Sequence, residues 1–200
     1  MDKYCLMHST HNTLDILQTG YLYTLEKLQN DDPNFYVGNA HIDKLPYIYM
    51  TLMKKENIKV MESINHSFCY DNMYLIFDSK LLMDNKFNIN SHWYGGPDKD
   101  QQIIDTNNET DLLKIIEPYS HYLKNECLFF NKISIKKYLK EIHIYIDYFT
   151  KRKDIIHLKE FRDIIKLINE KYRNVSINII NSKKSSKKNY WYYYFNNNPI

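Results

Sequence analysis

The 200-residue chain predicts an α+β domain, and three observations carry the prediction. Short apolar, aromatic runs of strand character recur along it at irregular spacing. Between them lie segments with helical apolar spacing, placed too unevenly for a doubly wound βαβ sheet. No internal repeat and no domain boundary interrupts residues 1–181, which read as one domain, with residues 182–200 as a basic, aromatic tail or final strand.

The elements follow in order. A first strand is predicted near residues 3–8, in Tyr4-Cys5-Leu6-Met7-His8. Leu14, Ile16 and Leu17 give the next segment an apolar helical side, Thr10 or Asn12 supplies its cap, and Gly20 suits the left-handed position after its end. The polar stretch with Asp31-Asp32-Pro33-Asn34 reads as loop. Pro46 opens a second strand at about 47–52, and Met73-Tyr74-Leu75-Ile76-Phe77 is a third. Trp93-Tyr94-Gly95-Gly96-Pro97-Asp98 marks a long loop. Helical spacing returns at 109–117 in Leu112, Leu113, Ile115 and Ile116, and Pro118 stops it. A strand at 126–131, a helical turn at 134–139 capped by Ser134, and a strand at about 141–148 come next. Ile156, Phe161, Ile164, Ile165 and Ile168 keep helical spacing over 155–171, and 174–180 is a further strand. A Ser/Lys-rich connection at 183–189 leads into Tyr190-Trp191-Tyr192-Tyr193-Tyr194-Phe195, a strand or an aromatic end.

Composition bounds the function. With 44% hydrophobic and 26% charged residues the chain is an ordinary globular one with a sizeable core. The skew toward Asn, Lys, Ile and Tyr, with Ala40 its one alanine, marks an AT-rich coding genome. The net charge of +3 is local: Lys183, Lys184, Lys187 and Lys188 supply it and leave residues 1–181 near neutral. Four lysines are a small patch for general nucleic-acid affinity, which accrues one phosphate at a time. Cys5, Cys69 and Cys127 are odd in number, far apart and without His at ligand spacing, so free buried thiols are expected and a structural zinc site is not. No apolar run approaches the length of a membrane span and no leader pattern is visible. An intracellular, cytoplasmic setting is expected, the host cytoplasm for a viral source.

Three strands each place one polar side chain at or near an end: His8 in Tyr4-Cys5-Leu6-Met7-His8-Ser9-Thr10, Tyr49 in Tyr47-Ile48-Tyr49-Met50-Thr51, and Glu126 in Asn125-Glu126-Cys127-Leu128-Phe129-Phe130. Side chains gathered from distant strands are how a catalytic cleft is commonly built. A carboxylate opening an apolar strand must reach solvent or find partners, so Glu126 is the most unusual of the three. A strand-end His or one Tyr among 19 is ordinarily structural. His66, His92, His121, His143 and His157 have no motif around them and read as surface or packing residues.

This ordered set resembles the ADP-ribosyltransferase superfamily, in its diphtheria-toxin and poly(ADP-ribose) polymerase branch, whose active site is a His–Tyr–Glu set. His8-Ser9-Thr10 with the short helix and Gly20 looks like that family's first strand, Ile48-Tyr49-Met50 like its second, and Asn125-Glu126-Cys127-Leu128-Phe129-Phe130 with Tyr138-Leu139-Lys140-Glu141-Ile142 like the strand of the catalytic Glu and the element behind it. The resemblance implies split antiparallel sheets with short flanking helices, NAD as co-substrate, no metal, and a macromolecular acceptor, protein or nucleic acid. It implies Glu126, His8 and Tyr49 as catalytic residues and His8, Ser9, Thr10 and Tyr49 as the NAD-binding ones. Glu126 would stabilise the positive charge that develops on the ribose and hold its 2′-hydroxyl, His8 would bond the adenosine ribose, Thr10 would support the pocket and Tyr49 would stack on nicotinamide. Ser9 stands where the family usually has Gly, and Tyr47 and Tyr36 are alternative stacking residues. The activity implied is mono-ADP-ribosyl transfer. An inactive interaction module on the same fold, an RNA 2′-phosphotransferase-like enzyme, and nucleic-acid binding through the tail are the competing readings.

Overall fold

The computed structural model describes residues 1–10, 13–33, 46–60, 73–91, 102–121, 125–145 and 155–180. Its strands are β1 (Tyr4–Thr10), β2 (Tyr21–Leu22), β3 (Ile48–Lys54), β4 (Met73–Asp78), β5 (Phe87–Asn90), β6 (Glu126–Phe129), β7 (Ile133–Ser134), β8 (Leu139–Tyr145) and β9 (Ser176–Ile180). The helices are α1 (Thr13–Thr19), α2 (Leu25–Asp31), α3 (Lys80–Asp84), α4 (Glu109–Ile116), α5 (Ile135–Tyr138) and α6 (Ile155–Lys171). The fold is the expected α+β class, with a mixed, mostly antiparallel sheet. Seven strands join in the order β5-β6-β3-β1-β4-β8-β9, and β2 and β7 form a separate ribbon.

Strand alternation divides the apolar residues between two faces. Tyr4 and Leu6 of β1, Met50 and Leu52 of β3, and Cys127 and Phe129 of β6 point into the main core, which α4 and α6 cover with Leu112, Ile116, Ile164 and Ile168. Cys5, Met7, Met53, Tyr74 and Ile76 take the other parity and form a smaller cluster with Ile58. Helix α6 docks on α1 at its C-terminal end, where the Tyr172 hydroxyl donates to the Leu17 carbonyl over 2.8 Å. Gly20 follows α1 at φ +77°, its N–H donating to the Ile16 carbonyl, so the left-handed cap is where the sequence places it.

Several elements differ from the sequence reading. Residues 25–31 are a helix, started by the Thr24 hydroxyl accepting from the Lys27 N–H. Helix α3 and the ribbon β2–β7 escape the periodicity because they are so short, and β5 is a strand where the sequence predicts none. Ser134 sits at the cap of α5 without a side-chain cap bond, whereas Asn108 caps α4 by accepting from Thr110 and Asp111. Strands β8 and β9 are parallel and joined through α6, the crossover that a parallel pair requires. Asn12, Tyr36, Cys69, the Trp93–Asp98 loop and residues 182–200 lie outside the described residues.

Candidate functional site

Strands β1 and β3 pair over only part of their length. Residues 4–7 face residues 54–51. Beyond Met7, His8, Ser9 and Thr10 pair with Leu75, Tyr74 and Met73 of β4, while Ile48, Tyr49 and Met50 pair with Phe129, Leu128 and Cys127 of β6. The sheet forks between the end of β1 and the start of β3. His8 spans the fork: its Nδ1–H donates to the Tyr49 carbonyl over 2.8 Å. Because a carbonyl only accepts, this bond fixes the proton on Nδ1 and makes Nε2 the acceptor nitrogen of the neutral ring.

Strand β6 carries Glu126 to the same region. Phe87, Ile89, Cys127 and Phe129 belong to the main core, so alternation sends Asn88, Asn90, Glu126 and Leu128 to the opposite face. The register sets Asn90 opposite Glu126 and Asn88 opposite Leu128, and Leu128 opposite Tyr49. Continuing the β3–β6 register by one residue brings Thr51 beside Glu126. Ser9 shares this face, since Cys5 and Met7 do. The structure therefore brings Glu126, Tyr49 and Ser9 onto one face and ties His8 to Tyr49 across the fork. Thr10, buried, has the parity of His8.

This half of the face is polar and buried. Asn88 is 3% exposed, Asn90 5%, Glu126 8% and Thr51 8%. The Asn88 Oδ1 has no hydrogen-bond partner among the described residues, a state that ordinarily costs about 1–3 kcal/mol. Burial, with the Glu126 carboxylate and then Tyr47 adding to it, pushes the Tyr49 phenol above its ordinary range. The same burial, again with Glu126, raises the Cys127 thiol. A negative charge at Glu126 is thus felt at Tyr49 and Cys127 alike.

Asn125 holds Glu126 in place. It is fully buried, its Oδ1 accepting from the Leu52 N–H at 2.8 Å and its Nδ2 donating to the Leu52 carbonyl at 2.7 Å and the Tyr119 carbonyl at 3.1 Å. The side chain replaces one rung of the β3–β6 ladder, so β6 begins with a clamp directly before the carboxylate. Tyr47, an alternative stacking residue, instead packs edge-on against Phe130, ring centroids 5.4 Å apart.

Sequence reasoning misses Asn88, Asn90, Thr51 and Asn125. The signal for the first two is present, because Phe87-Asn88-Ile89-Asn90 alternates strictly with period 2; four residues are simply few to read. Of the unassigned histidines, His143 is buried with its ring nitrogen 2.9 Å from Glu141 Oε2, and His121 lies exposed near Glu117. His66, His92 and the His157 side chain lie outside the described residues. Among the described residues no cluster of three or more His, Cys, Asp or Glu could hold a metal ion.

The sequence matches the family described as "Family of unknown function (DUF5846)" over residues 1–126, a stretch that contains His8, Tyr49, Asn88 and Asn90 and ends on Glu126. No curated protein matches it. Among solved structures, Thermosipho africanus DarTG in complex with ADP-ribose aligns with 90% of this chain and 50% of its own, at 11% identity and a TM-score of 0.49. This chain spans half the length of that one.

Proposed function

The chain belongs to the family of unknown function DUF5846, and we propose that it is an NAD-dependent mono-ADP-ribosyltransferase, moving ADP-ribose from NAD to a protein or nucleic-acid acceptor with release of nicotinamide. One observation carries the reading: a buried carboxylate, Glu126, stands on the same sheet face as Tyr49, beside a fork that His8 bridges to the Tyr49 backbone. The residues are those that the resemblance of the sequence assigns to catalysis.

The chemistry follows from the residue types. As the bond from C1′ to the nicotinamide nitrogen breaks, its electron pair leaves with nicotinamide and positive charge grows on the ribose. An ionised Glu126 beside that carbon stabilises the charge more in the transition state than in the ground state. A nucleophile on the acceptor then donates its lone pair to C1′ and gives its proton to water. Tyr49 supplies a ring to stack on the departing base, Ser9 lines the β1 side of that face, Thr10 supports His8 from the parity the two share, and the Nδ1 bond of His8 presents Nε2 as an acceptor toward a ribose hydroxyl.

Residues 1–181 are near neutral and Arg152, Arg162 and Arg173 are the arginines of the chain, which favours this reading over a 2′-phosphotransferase that leans on basic residues to grip a phosphate. Among the described residues no helix is long and apolar enough to cross a membrane. The test is nicotinamide release from NAD by the purified protein, with a cell lysate as acceptor, beside Glu126→Ala. Release should fall by about 10²–10³, the scale of losing one preorganised electrostatic group, with the melting midpoint nearly unchanged. Equal release by the variant overturns the assignment. NAD binding without release in the wild type moves the protein to the inactive-module reading.

A further inference from the structure

We propose that Asn88 is a binding residue of this site, its side-chain carbonyl accepting a hydrogen bond from a ribose hydroxyl of NAD; the assignment rests on the transferase reading above. Asn88 lies in the row Asn88–Leu128–Tyr49 and one pleat from the row that pairs Asn90 with Glu126. The Asn88 and Glu126 side chains are diagonal neighbours on adjacent strands, a separation of about 7–8 Å, which one sugar ring would span. The strand that presents Asn88 is held from two sides, by β6 and by the Phe87 backbone pair with Ile104 at 3.1 and 2.8 Å.

Asn88 is almost wholly buried, yet its Oδ1 lacks a hydrogen-bond partner among the described residues. Buried side-chain acceptors are nearly always paired, and one that is not calls for an explanation; on the face that carries Glu126 and Tyr49, a ligand donor supplies it. The group is an acceptor, so the ligand atom that meets it must be a donor. A sugar hydroxyl is one, and an ionised phosphate oxygen is not. Because the transferase reading sets Glu126 at the nicotinamide ribose and Asn88 is its diagonal neighbour, the donor beside Asn88 is a ribose hydroxyl and not a pyrophosphate oxygen.

A ligand acceptor and a structural residue respond oppositely to an apolar isostere, which makes Asn88→Leu the decisive variant. If Asn88 awaits a ligand, removing its lone acceptor leaves the melting midpoint without NAD unchanged or higher, while calorimetry gives a dissociation constant for NAD about tenfold weaker. A lower ligand-free midpoint together with wild-type NAD affinity overturns the proposal and makes Asn88 a core residue. If Asn88→Leu does not fold, Asn88→Ala, measured well below its midpoint, decides: a weakened dissociation constant supports the proposal and an unchanged one overturns it. Wild-type protein that binds neither NAD nor ADP-ribose fails the transferase reading itself and takes this assignment with it. That failure shows in the wild type before any variant is compared.

Discussion

The face of the sheet opposite the main core has two halves that obey the same alternation and contain opposite chemistry. Toward β1 and β4 it carries Cys5, Met7, Met53, Tyr74 and Ile76, an apolar cluster. Toward β6 and β5 it carries Thr51, Glu126, Asn88 and Asn90, all buried, with Leu128 as the one apolar side chain among them. Stability alone would fill both halves with apolar residues, because a buried amide or carboxylate at best recovers through hydrogen bonds what it loses in hydration. The polar half is therefore the part of the sheet that stability does not explain, and the fork between β1 and β3 lies where the two halves meet.

The contrast is sharpest when one residue is removed from each half. Met53, fully buried in the apolar half, should lose about 2–5 kcal/mol as Met53→Ala, the ordinary cost of a core cavity, read from urea unfolding. Glu126→Ala in the polar half should leave the midpoint nearly where it was. Equal losses at the two positions would mean that Glu126 is a structural residue like Met53, and the distinction between the halves would collapse.

Asn125 tests what supports the polar half from behind. Asn125→Ala leaves the Leu52 N–H, the Leu52 carbonyl and the Tyr119 carbonyl without its three bonds. A cost of about 1–3 kcal/mol is expected, with release of nicotinamide lowered further than the stability loss explains, because Glu126 is the next residue. Asn125→Asp separates the two contributions. It keeps the acceptor for the Leu52 N–H but cannot donate to the two carbonyls, so most of the loss should persist.

Much of this architecture is legible in the sequence, for a physical reason that differs by element. Strands β1, β3 and β4 and helix α6 announce themselves because burial selects apolar residues over many consecutive positions, β6 because Cys127-Leu128-Phe129-Phe130 is an unbroken apolar run, and Gly20 because its backbone angle is costly for other residues. Glu126 stands out as a carboxylate in an apolar strand. Strand β5 does not, since four residues hold barely two periods. The fork is beyond the sequence altogether: it is a matter of which neighbour each half of β1 and β3 chooses, and no local pattern in His8-Ser9-Thr10 encodes the partner of Ile48. Asn125 reads as the start of a strand, and its role as a replacement rung depends on Leu52, 73 positions away.

The thiols extend the comparison to reactivity. Cys5 lies in the apolar half, where burial, partly offset by Lys55, pushes its thiol up to about 12; Cys127, in the main core behind Glu126, is raised as well. Both should resist alkylation in the native protein at neutral pH and react once it unfolds, as mass spectrometry of the two peptides can follow. The sign of the pH effect is set by the raised values. Stability from Cys5 is complete below the unfolded value of 9.0 and declines above it toward about pH 12, as the unfolded chain sheds its proton first. Rapid native labelling of Cys5 with Cys127 still protected would mean that the apolar half opens more readily than the main core.

The smallest effect belongs to polar groups that are not buried. Lys137 Nζ lies 2.9 Å from Asp84 Oδ2 with the lysine more than half exposed, and the Tyr138 hydroxyl donates to the same oxygen at 3.1 Å. The hydrogen bond from Lys137, aided by Tyr138 and opposed by slight desolvation, holds the Asp84 carboxyl below its usual range. A depressed carboxyl stabilises the fold fully above its unfolded value of 3.8 and ceases to do so as pH falls through the lower folded value. Lys137→Met should therefore lower the melting midpoint slightly at pH 7 and by progressively less as pH falls below 3.8 and the Asp84 carboxyl takes up its proton, a difference kept small by solvent screening. If this surface pair proved as costly to remove as the Asn125 clamp, polarity and not burial would govern the energetics of the sheet. The polar half of the face would then need no ligand to account for it.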